Sequence, residues 1–400
     1  MKTRSRKRVE EGLKNAIEAD IIPSAPSIPT GFRALSGAMP KGWKQASDAL
    51  DYVRSISTIF PDFDRASRIG GLPLRRIITV HGPTHEGKTA LIAGFLKSFI
   101  DANHMAAYVD AEHATDLKFF DSLLGRQTST IPNFLGQRPT TYEETVDAAD
   151  EFLTWMVSER KARFGKYTKA PVPEHENLAG LLVVDSLNKL QPESEMARIK
   201  KDGGDALDKG FGRQRANMNQ AWLDHIVPRL GQAETAFVLI VQERDAEDLK
   251  PWERPTLKGG RASSFDASLI VRVTKVAAVS RGEKAEREVY GFKHQARIWK
   301  SKVGTMDTDH SDSFFYMSNG KLVPSGFDTA RDAVEVAKEL GIIETGDGGS
   351  WFTWRHPGSK KPKRWNGAHN AVVDLTKDQG ALHAMLSQIS QRIRPKEATS

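Results

Sequence analysis

The stretch Val80–Phe95, VHGPTHEGKTALIAGF, decides the fold. It contains Gly-x-x-x-x-Gly-Lys-Thr, from Gly82 to Thr89. A β-branched run, IITV (77–80), precedes it. Apolar residues at helical spacing follow it, namely Leu91, Ile92, Phe95, Leu96 and Phe99. Strand, glycine-bearing turn and helix in that order form the context in which this pattern wraps a nucleotide's phosphates. Gly82 and Gly87 let the backbone through Pro83, Thr84, His85 and Glu86 curl so that successive N–H groups face phosphate oxygens. Lys88 reaches the terminal phosphates and the Thr89 hydroxyl coordinates magnesium. The helix opening at Lys88–Ala90 adds its positive end.

Further apolar strands lie downstream: AAYVDAE (106–112), LAGLLVVDS (178–186) and AFVLIVQ (236–242), each closing on polar residues. Buried strands separated by helices predict an α/β fold, a mostly parallel sheet covered on both faces. Ligands of such sheets sit beyond the carboxyl ends of the strands, so Glu112, Asp185 and Gln242 are expected to share one location. Asp185 closes LLVV, where a second magnesium-associated carboxylate belongs; the alternative is a helix-capping Asp. Glu112 is a candidate general base for attack of water on a γ-phosphate, against the alternative of a solvated carboxylate at a strand end.

Composition narrows the class. The chain has 400 residues, 39% hydrophobic and 27% charged, enough for one large core and a smaller domain or two. Its apolar runs fall far short of the ~20 residues of a membrane span. The first residues, MKTRSRKRVEEG, lead into no apolar segment, so neither a secretory signal nor a membrane role is expected. Cysteine is absent, which excludes disulfides and thiolate metal sites and fits a cytoplasmic, reducing setting. Net charge is +7, so a polyanionic partner is implied only where the basic residues cluster near a site.

Three regions are expected. Residues 1–54 comprise a basic, weakly amphipathic helix and a Pro-rich linker, IIPSAPSIPTGF (21–32). Residues 55–310 hold the ATPase core. Residues 311–400 read as a small α+β domain: FDTARDAVEVAKELGII is helical, GGSWFTW a turn and strand, and GALHAMLSQISQRI a closing helix. Two polar stretches, Gln191–Gly212 and Glu243–Gly260, interrupt the core as long loops, which in a compact domain are usually functional or disordered.

With these residues in view, the chain resembles the RecA family of recombinases over roughly residues 55–395. SISTIFPDFDRASRIGGLPLRRIITVHGP is similar to the family's leading segment, with its Gly-Gly-Leu-Pro turn at Gly70–Pro73. YVDAEHATD (108–116) resembles the Asp-Ala-Glu-His-Ala-x-Asp block, and LLVVDS (181–186) the second nucleotide motif. GGRASSFDAS (259–268) resembles the segment after the second DNA-binding loop, and RIWKSKVG (297–304) the Lys-x-Lys strand. KELGIIETGDGGSWFTW and RWNGAHNAVVDL look like the family's small C-terminal domain.

The resemblance implies roles. For residues 1–54 it implies one in oligomerisation. ATP and Mg2+ become the ligands, Glu112 the base that activates water, and Gln242 the γ-phosphate sensor at the root of the second loop. Asp116 and Phe119 fall where the family contacts and stacks on adenine. Lys300 and Lys302 fall on cations that reach a neighbouring subunit's phosphates, as an arginine finger does in trans. Phe265 falls on the aromatic that packs across that interface; ordinary core packing is the alternative. The DNA-contacting residues would be Arg198, Lys200, Lys201, Lys209, Phe211, Arg213 and Arg215 in the first loop. In the second they would be Arg244, Lys250, Trp252, Arg254, Lys258, Gly259, Gly260 and Arg261. Acidic neighbours such as Asp245, Glu247, Asp248 and Glu253 weaken a purely electrostatic case. The cluster KKPKR (360–364) suits either duplex DNA or a solvated charged turn. The implied partners are single-stranded DNA, a homologous duplex, and further copies of the chain in a helical filament.

The sequence departs from the family at three places. Glu86 replaces a small residue, and a carboxylate beside phosphates is repulsive unless it points away or meets a cation, so nucleotide affinity or hydrolysis is expected to be reduced. Residues 1–54 are longer than the family's N-terminus, and RIRPKEATS carries no acidic tail. The expected activity is DNA-dependent ATP hydrolysis that drives pairing and strand exchange. Two alternatives stand beside it: a nucleotide-switched DNA-coating protein with little turnover, and a ring-forming motor on the same core.

Overall fold

The computed structural model describes residues 53–165, 178–186, 191–202, 211–243, 266–281, 288–304, 311–346 and 348–393. The expected N-terminal helix and linker lie outside them. β1 (Ser55–Ile56) and β2 (Leu72–Pro73) pair as a short antiparallel ribbon around α1 (Pro61–Ser67). There follow β3 (Ile77–Gly82), α2 (Lys88–Asp101), β4 (Met105–Asp110), α3 (Leu117–Leu124), β5 (Phe134–Gln137), α4 (Tyr142–Phe164) and β6 (Gly180–Asp185). Next come α5 (Glu193–Asp202), α6 (Phe211–Ala233), β7 (Thr235–Gln242), β8 (Leu269–Arg281), β9 (Glu288–Ser301), β10 (Ser311–Ser318) and β11 (Gly326–Phe327). The described chain closes with α7 (Thr329–Glu339), β12 (Ile343–Thr345), β13 (Trp351–Trp354), β14 (Lys363–Asn366), α8 (Ala368–Lys377) and α9 (Gln379–Ile393).

One nine-stranded sheet runs in the order β11-β10-β9-β8-β3-β7-β6-β4-β5. From β8 to β5 every pairing is parallel, and β9, β10 and β11 add on antiparallel. The expectation of a mostly parallel sheet flanked by helices holds, and its cause is visible in β3, β6 and β7. Their near-continuous apolar runs are buried on both faces, as strands between two helical layers must be. Alternate residues feed separate cores. Ile78, Val80, Leu181, Val183 and Val238 pack with Leu91, Phe95 and Phe99 of α2. Ile77, Leu182, Val184, Phe237 and Leu239 pack with Leu153 and Met156 of α4 and Trp222, Leu223 and Ile226 of α6.

Two expectations need adjusting. The expected boundary after residue 310 falls before β10, yet β10 lies along β9 from Ser311↔Ile298 to Ser318↔Gly291, so the large sheet runs on past it. A separate core begins near Val323, where Trp354, Trp365, Val334, Leu375 and Met385 cluster. Secondly, part of the Gln191–Gly212 stretch is helical. In α5, Glu193 and Glu195 occupy the first turn, where acids complement the helix dipole. Among the described residues no helix is long and apolar enough to cross a membrane.

Candidate active site

The loop between β3 and α2 is shaped by its two glycines. Gly82 sits at φ +148, and a Cβ there would fall 2.2 Å from the Val273 carbonyl oxygen. Gly87, at φ +100, caps α2, and its Cβ would meet His294 Nδ1 at 2.6 Å. Neither position has room for a side chain, so the close approach of β8 and β9 to the loop requires glycine. Lys88 folds back over the turn, donating from Nζ to the carbonyls of Gly82 (2.8 Å) and Pro83 (2.6 Å). Burial lowers its pKa from the ordinary lysine range, while the carboxylates of Asp185, Glu243, Glu112 and Glu86 oppose that shift.

Glu86 is not turned on the lysine. Its carboxylate accepts the Lys275 backbone N–H of β8, and its carbonyl accepts from His294 Nδ1 of β9 at 3.0 Å. His294 is buried and stacks on Phe315 with ring centroids 5.0 Å apart. The departure from a small residue is therefore accommodated by the β8–β9 pair, which braces the loop from outside.

Sheet register brings the three strand-end residues together. Gly82 lies opposite Gln242, and Asp110 opposite Asp185. Glu112, two residues past β4, donates its backbone N–H to the Asp185 carbonyl at 2.9 Å. Its Oε1 accepts from Gln242 Nε2 at 3.3 Å. The Asp185 carboxyl is pushed up to about 6 by burial, with the charges of Glu112 and Asp110 adding to it. The Tyr108 hydroxyl donates to Asp185 Oδ2 at 2.7 Å and works against that rise; Thr115 Oγ1 donates to Tyr108 in turn at 3.2 Å. Among the described residues no group of three or more metal-binding side chains could hold an ion alone. Thr89 and Asp185 are hard oxygen donors, a set that fits magnesium completed by phosphate and water oxygens.

The block after Glu112 is pinned rather than loose. Asp110 accepts from the backbone N–H of Ala114 (3.3 Å) and Thr115 (3.2 Å) and from Arg138 Nε (3.0 Å). His113 donates from Nε2 to the Pro139 carbonyl at 2.8 Å. A cavity of about 800 Å³ opens beside this block, lined by Asp110, Thr115, Asp116, Phe120 and Arg138 among others. Asp116 caps α3 through Lys118 N–H at 2.9 Å. Phe119 stands outside that lining and is 43% exposed, whereas Phe120 is buried.

Lys300 and Lys302 lie far from their own chain's loop. Lys300 is level with Ile270, and Ile270 with Thr79. Lys302 donates its N–H to Ser268 O, and Ser268 donates its N–H to Ile77 O, which places Lys302 level with the start of β3, with the β8 side of the sheet between them. Burial, and then the charge of Lys302, lowers the pKa of Lys300. Of the expected DNA contacts, Arg198, Lys200 and Lys201 lie on α5, and Phe211 and Arg213 open α6. Arg215 is committed to the buried Glu195, donating from Nε at 2.7 Å and again from its terminal nitrogen. Lys209, Arg244, Lys250, Trp252, Arg254, Lys258, Gly259, Gly260, Arg261 and Phe265 lie outside the described residues. In the KKPKR cluster, Lys363 is engaged by Asp374 (3.1 Å) and Asp378 (2.9 Å).

Sequence reasoning missed Tyr108, His294, His81 and Arg272. Tyr108 had a signal: it lies two residues before Asp110 on a strand, so it shares that residue's face. His294 and Arg272 had none, because the β8–β9 pair brings them to the loop from far along the chain.

A parallel sheet with this glycine turn between β3 and α2, and with acids at the ends of neighbouring strands, defines a RecA-like P-loop α/β core. The family model described as RecA N-terminal domain matches residues 39–155. "Protein RecA" of Thermus thermophilus is 29% identical over 346 residues, 86% of each chain. "Protein RecA" of Chloroherpeton thalassium is 25% identical over 347 residues, 86% of this chain and 83% of that one. "Protein RecA" of Geobacter sulfurreducens is 26% identical over 309 residues, 77% of this chain and 78% of that one. Over most of its length the chain is similar to RecA proteins, at 25–29% identity.

Proposed function

We propose that this chain is an ATP-dependent DNA recombinase. It would assemble as a filament on single-stranded DNA, pair that strand with a homologous duplex, and release it on hydrolysis, in the cytoplasm. The observation that carries the reading is the Gln242–Glu112 hydrogen bond of 3.3 Å. It joins the candidate base to the last residue of β7, immediately before the segment expected to meet DNA.

The loop backbone, Lys88 and Thr89 would hold ATP, with Asp185 behind Thr89's magnesium. ATP supplies the phosphoryl group whose transfer to water drives release. Glu112 would take the proton of the attacking water through Oε1 or Oε2. Gln242 would report the state of the site by keeping or losing its bond to Glu112. Lys300 and Lys302 would serve the next subunit, since they sit near the opposite end of the sheet from their own loop. The binding-only alternative draws its support from Glu86; that this carboxylate accepts the Lys275 N–H favours the hydrolytic reading instead.

The test is ATP hydrolysis with and without single-stranded DNA, beside Lys88→Ala, with electron microscopy of the complexes. Strong stimulation, lost in the variant, together with filaments is the expected result. Closed rings, or nucleotide-dependent DNA binding without turnover, would refute the reading.

A further inference from the structure

We propose that Glu243 is a positioning residue that ties both ends of the segment 244–265 to the strand carrying the phosphate loop. The His81–Glu243–Arg272 cluster would then be a second link between nucleotide state and DNA, beside Gln242. This inference rests on the function proposed above.

The placement follows from sheet order. β3 lies between β8 and β7. His81, the residue before Gly82, is level with Val241 on one side and Arg272 on the other. Glu243 follows the last residue of β7, and Arg272 stands on β8, where the chain re-enters the sheet after the segment. One carboxylate meets all three strands. His81 Nδ1 lies 2.8 Å from Glu243 Oε1, Arg272 Nε donates to the same oxygen at 2.8 Å, and its terminal nitrogen donates to Oε2 at 3.2 Å.

The chemistry fixes each proton. Burial opposes ionisation of Glu243, yet hydrogen bonds from His81 and Arg272 hold its carboxyl at about 2. An ionised carboxylate only accepts, so His81 Nδ1 carries the hydrogen. Burial keeps His81 neutral, so Nε2 has a lone pair, and that nitrogen is buried with no hydrogen-bond partner among the described residues. Trp299 covers the cluster, its ring 4.6 Å from His81 and 5.3 Å from the Arg272 guanidinium.

A buried pair of this kind is a poor source of stability, because desolvation offsets most of its attraction. What it supplies is a single allowed arrangement. His81 is joined directly to Gly82, whose contact with Val273 leaves no slack. Any shift of the loop on filling the cradle therefore displaces His81, and with it the carboxylate that anchors the segment at both ends. The same pairing removes a charge problem. An acid at the root of a DNA-binding segment would repel phosphates, but this one is neutralised by Arg272.

The experiment uses the full chain and a fluorescein-labelled oligo-dT, reading DNA affinity by anisotropy with ATPγS and with ADP. Glu243→Gln and Arg272→Gln should each keep affinity for a fluorescent ATP analogue within about twofold. The ratio of DNA affinities between the two nucleotide states should fall by about tenfold or more, the scale of an ordinary coupling energy. A structural role would lower thermal stability without moving that ratio. A wild-type ratio in folded Glu243→Gln overturns the proposal. Should both variants fail to fold, hydrogen exchange on the wild-type chain decides: ATPγS should alter protection at 241–243 and 269–273 together with 77–82, and unchanged exchange at 241–243 overturns it. A wild-type ratio near one would sink the function itself, and this link with it.

Discussion

The placement of Lys302 makes a prediction that a single chain cannot satisfy. Its backbone is level with Ile77, five residues below Gly82 on β3. At about 3.3 Å per residue that is roughly 17 Å along the strand, before the lateral step across β8 to β9 is added. A lysine's four-carbon stem does not span this. If Lys302 contributes to hydrolysis, it does so at another copy's cradle. Lys302→Ala should then lower DNA-stimulated hydrolysis on the order of a thousandfold, the modest side of what a cation supplied in trans contributes. Lys88→Ala should be comparably inactive. Mixed in equal amounts on oligo-dT, the two variants should regain activity. A cradle is complete only when a Lys302→Ala chain supplies the loop and a Lys88→Ala chain supplies the lysine, which random assembly gives at about a quarter of the junctions in a head-to-tail array. A steady-state phosphate-release assay across mixing ratios reads this directly. Activity that stays at the average of the two variants would refute the argument, as would wild-type turnover by Lys302→Ala alone.

Three further outcomes are expected. Tyr108→Phe removes the hydroxyl that orients Asp185 without leaving a void, and should raise the magnesium concentration for half-maximal nucleotide binding about tenfold; an unchanged magnesium titration would count against that role. Glu234 is fully buried between Arg75 (2.6 Å), Arg54 (3.4 Å) and Arg160 (3.8 Å). Glu234→Gln leaves those cations uncompensated and should cost about 3–5 kcal/mol in urea unfolding, where an unmoved midpoint would contradict it. Asp332 is fully buried, and burial, then Asp328 and Asp62, raises its pKa well above the ordinary carboxyl value. The folded chain thus holds a proton that the unfolded chain releases. Stability is complete at low pH and falls by about 1.4 kcal/mol per pH unit as pH climbs from the ordinary carboxyl range toward the folded value. Asp332→Asn should flatten that slope and stabilise the protein more at pH 8 than at pH 5; an equal effect at both would contradict this.

The strands and helices around the phosphate loop were legible because each announces itself locally. IITV and LLVV are too apolar to lie anywhere but between layers, and Gly82 and Gly87 mark the turn. Glu112, Asp185 and Gln242 are grouped by the sequence alone, since a parallel sheet gathers its strand ends on one side. What was not legible depends on partners distant in sequence. Glu86 looked like a repulsive charge because nothing near it names Lys275 as its acceptor's donor, 189 positions away. Arg215 looked like a phosphate ligand because Glu195 is twenty residues off and reaches it only once α5 and α6 pack. The helix α5 itself carries few apolar residues, so its periodicity is faint and its placement comes from capping charge instead.

β9 has one more property. Near its middle, His294 holds the Glu86 carbonyl of its own chain's loop. Six residues further along the same strand stands Lys300, a distance of roughly 20 Å. From His294 to Ile298 this backbone is paired on both sides, with β8 and with β10, and beyond Ile298 with β8 alone. If such chains form a filament and Lys300 serves the next subunit as proposed above, each cradle would be joined through β9 to its neighbour's. Occupancy at one site would be felt mechanically at its neighbour, and hydrolysis would travel along the array in one direction, set by which end of β9 is the lysine end.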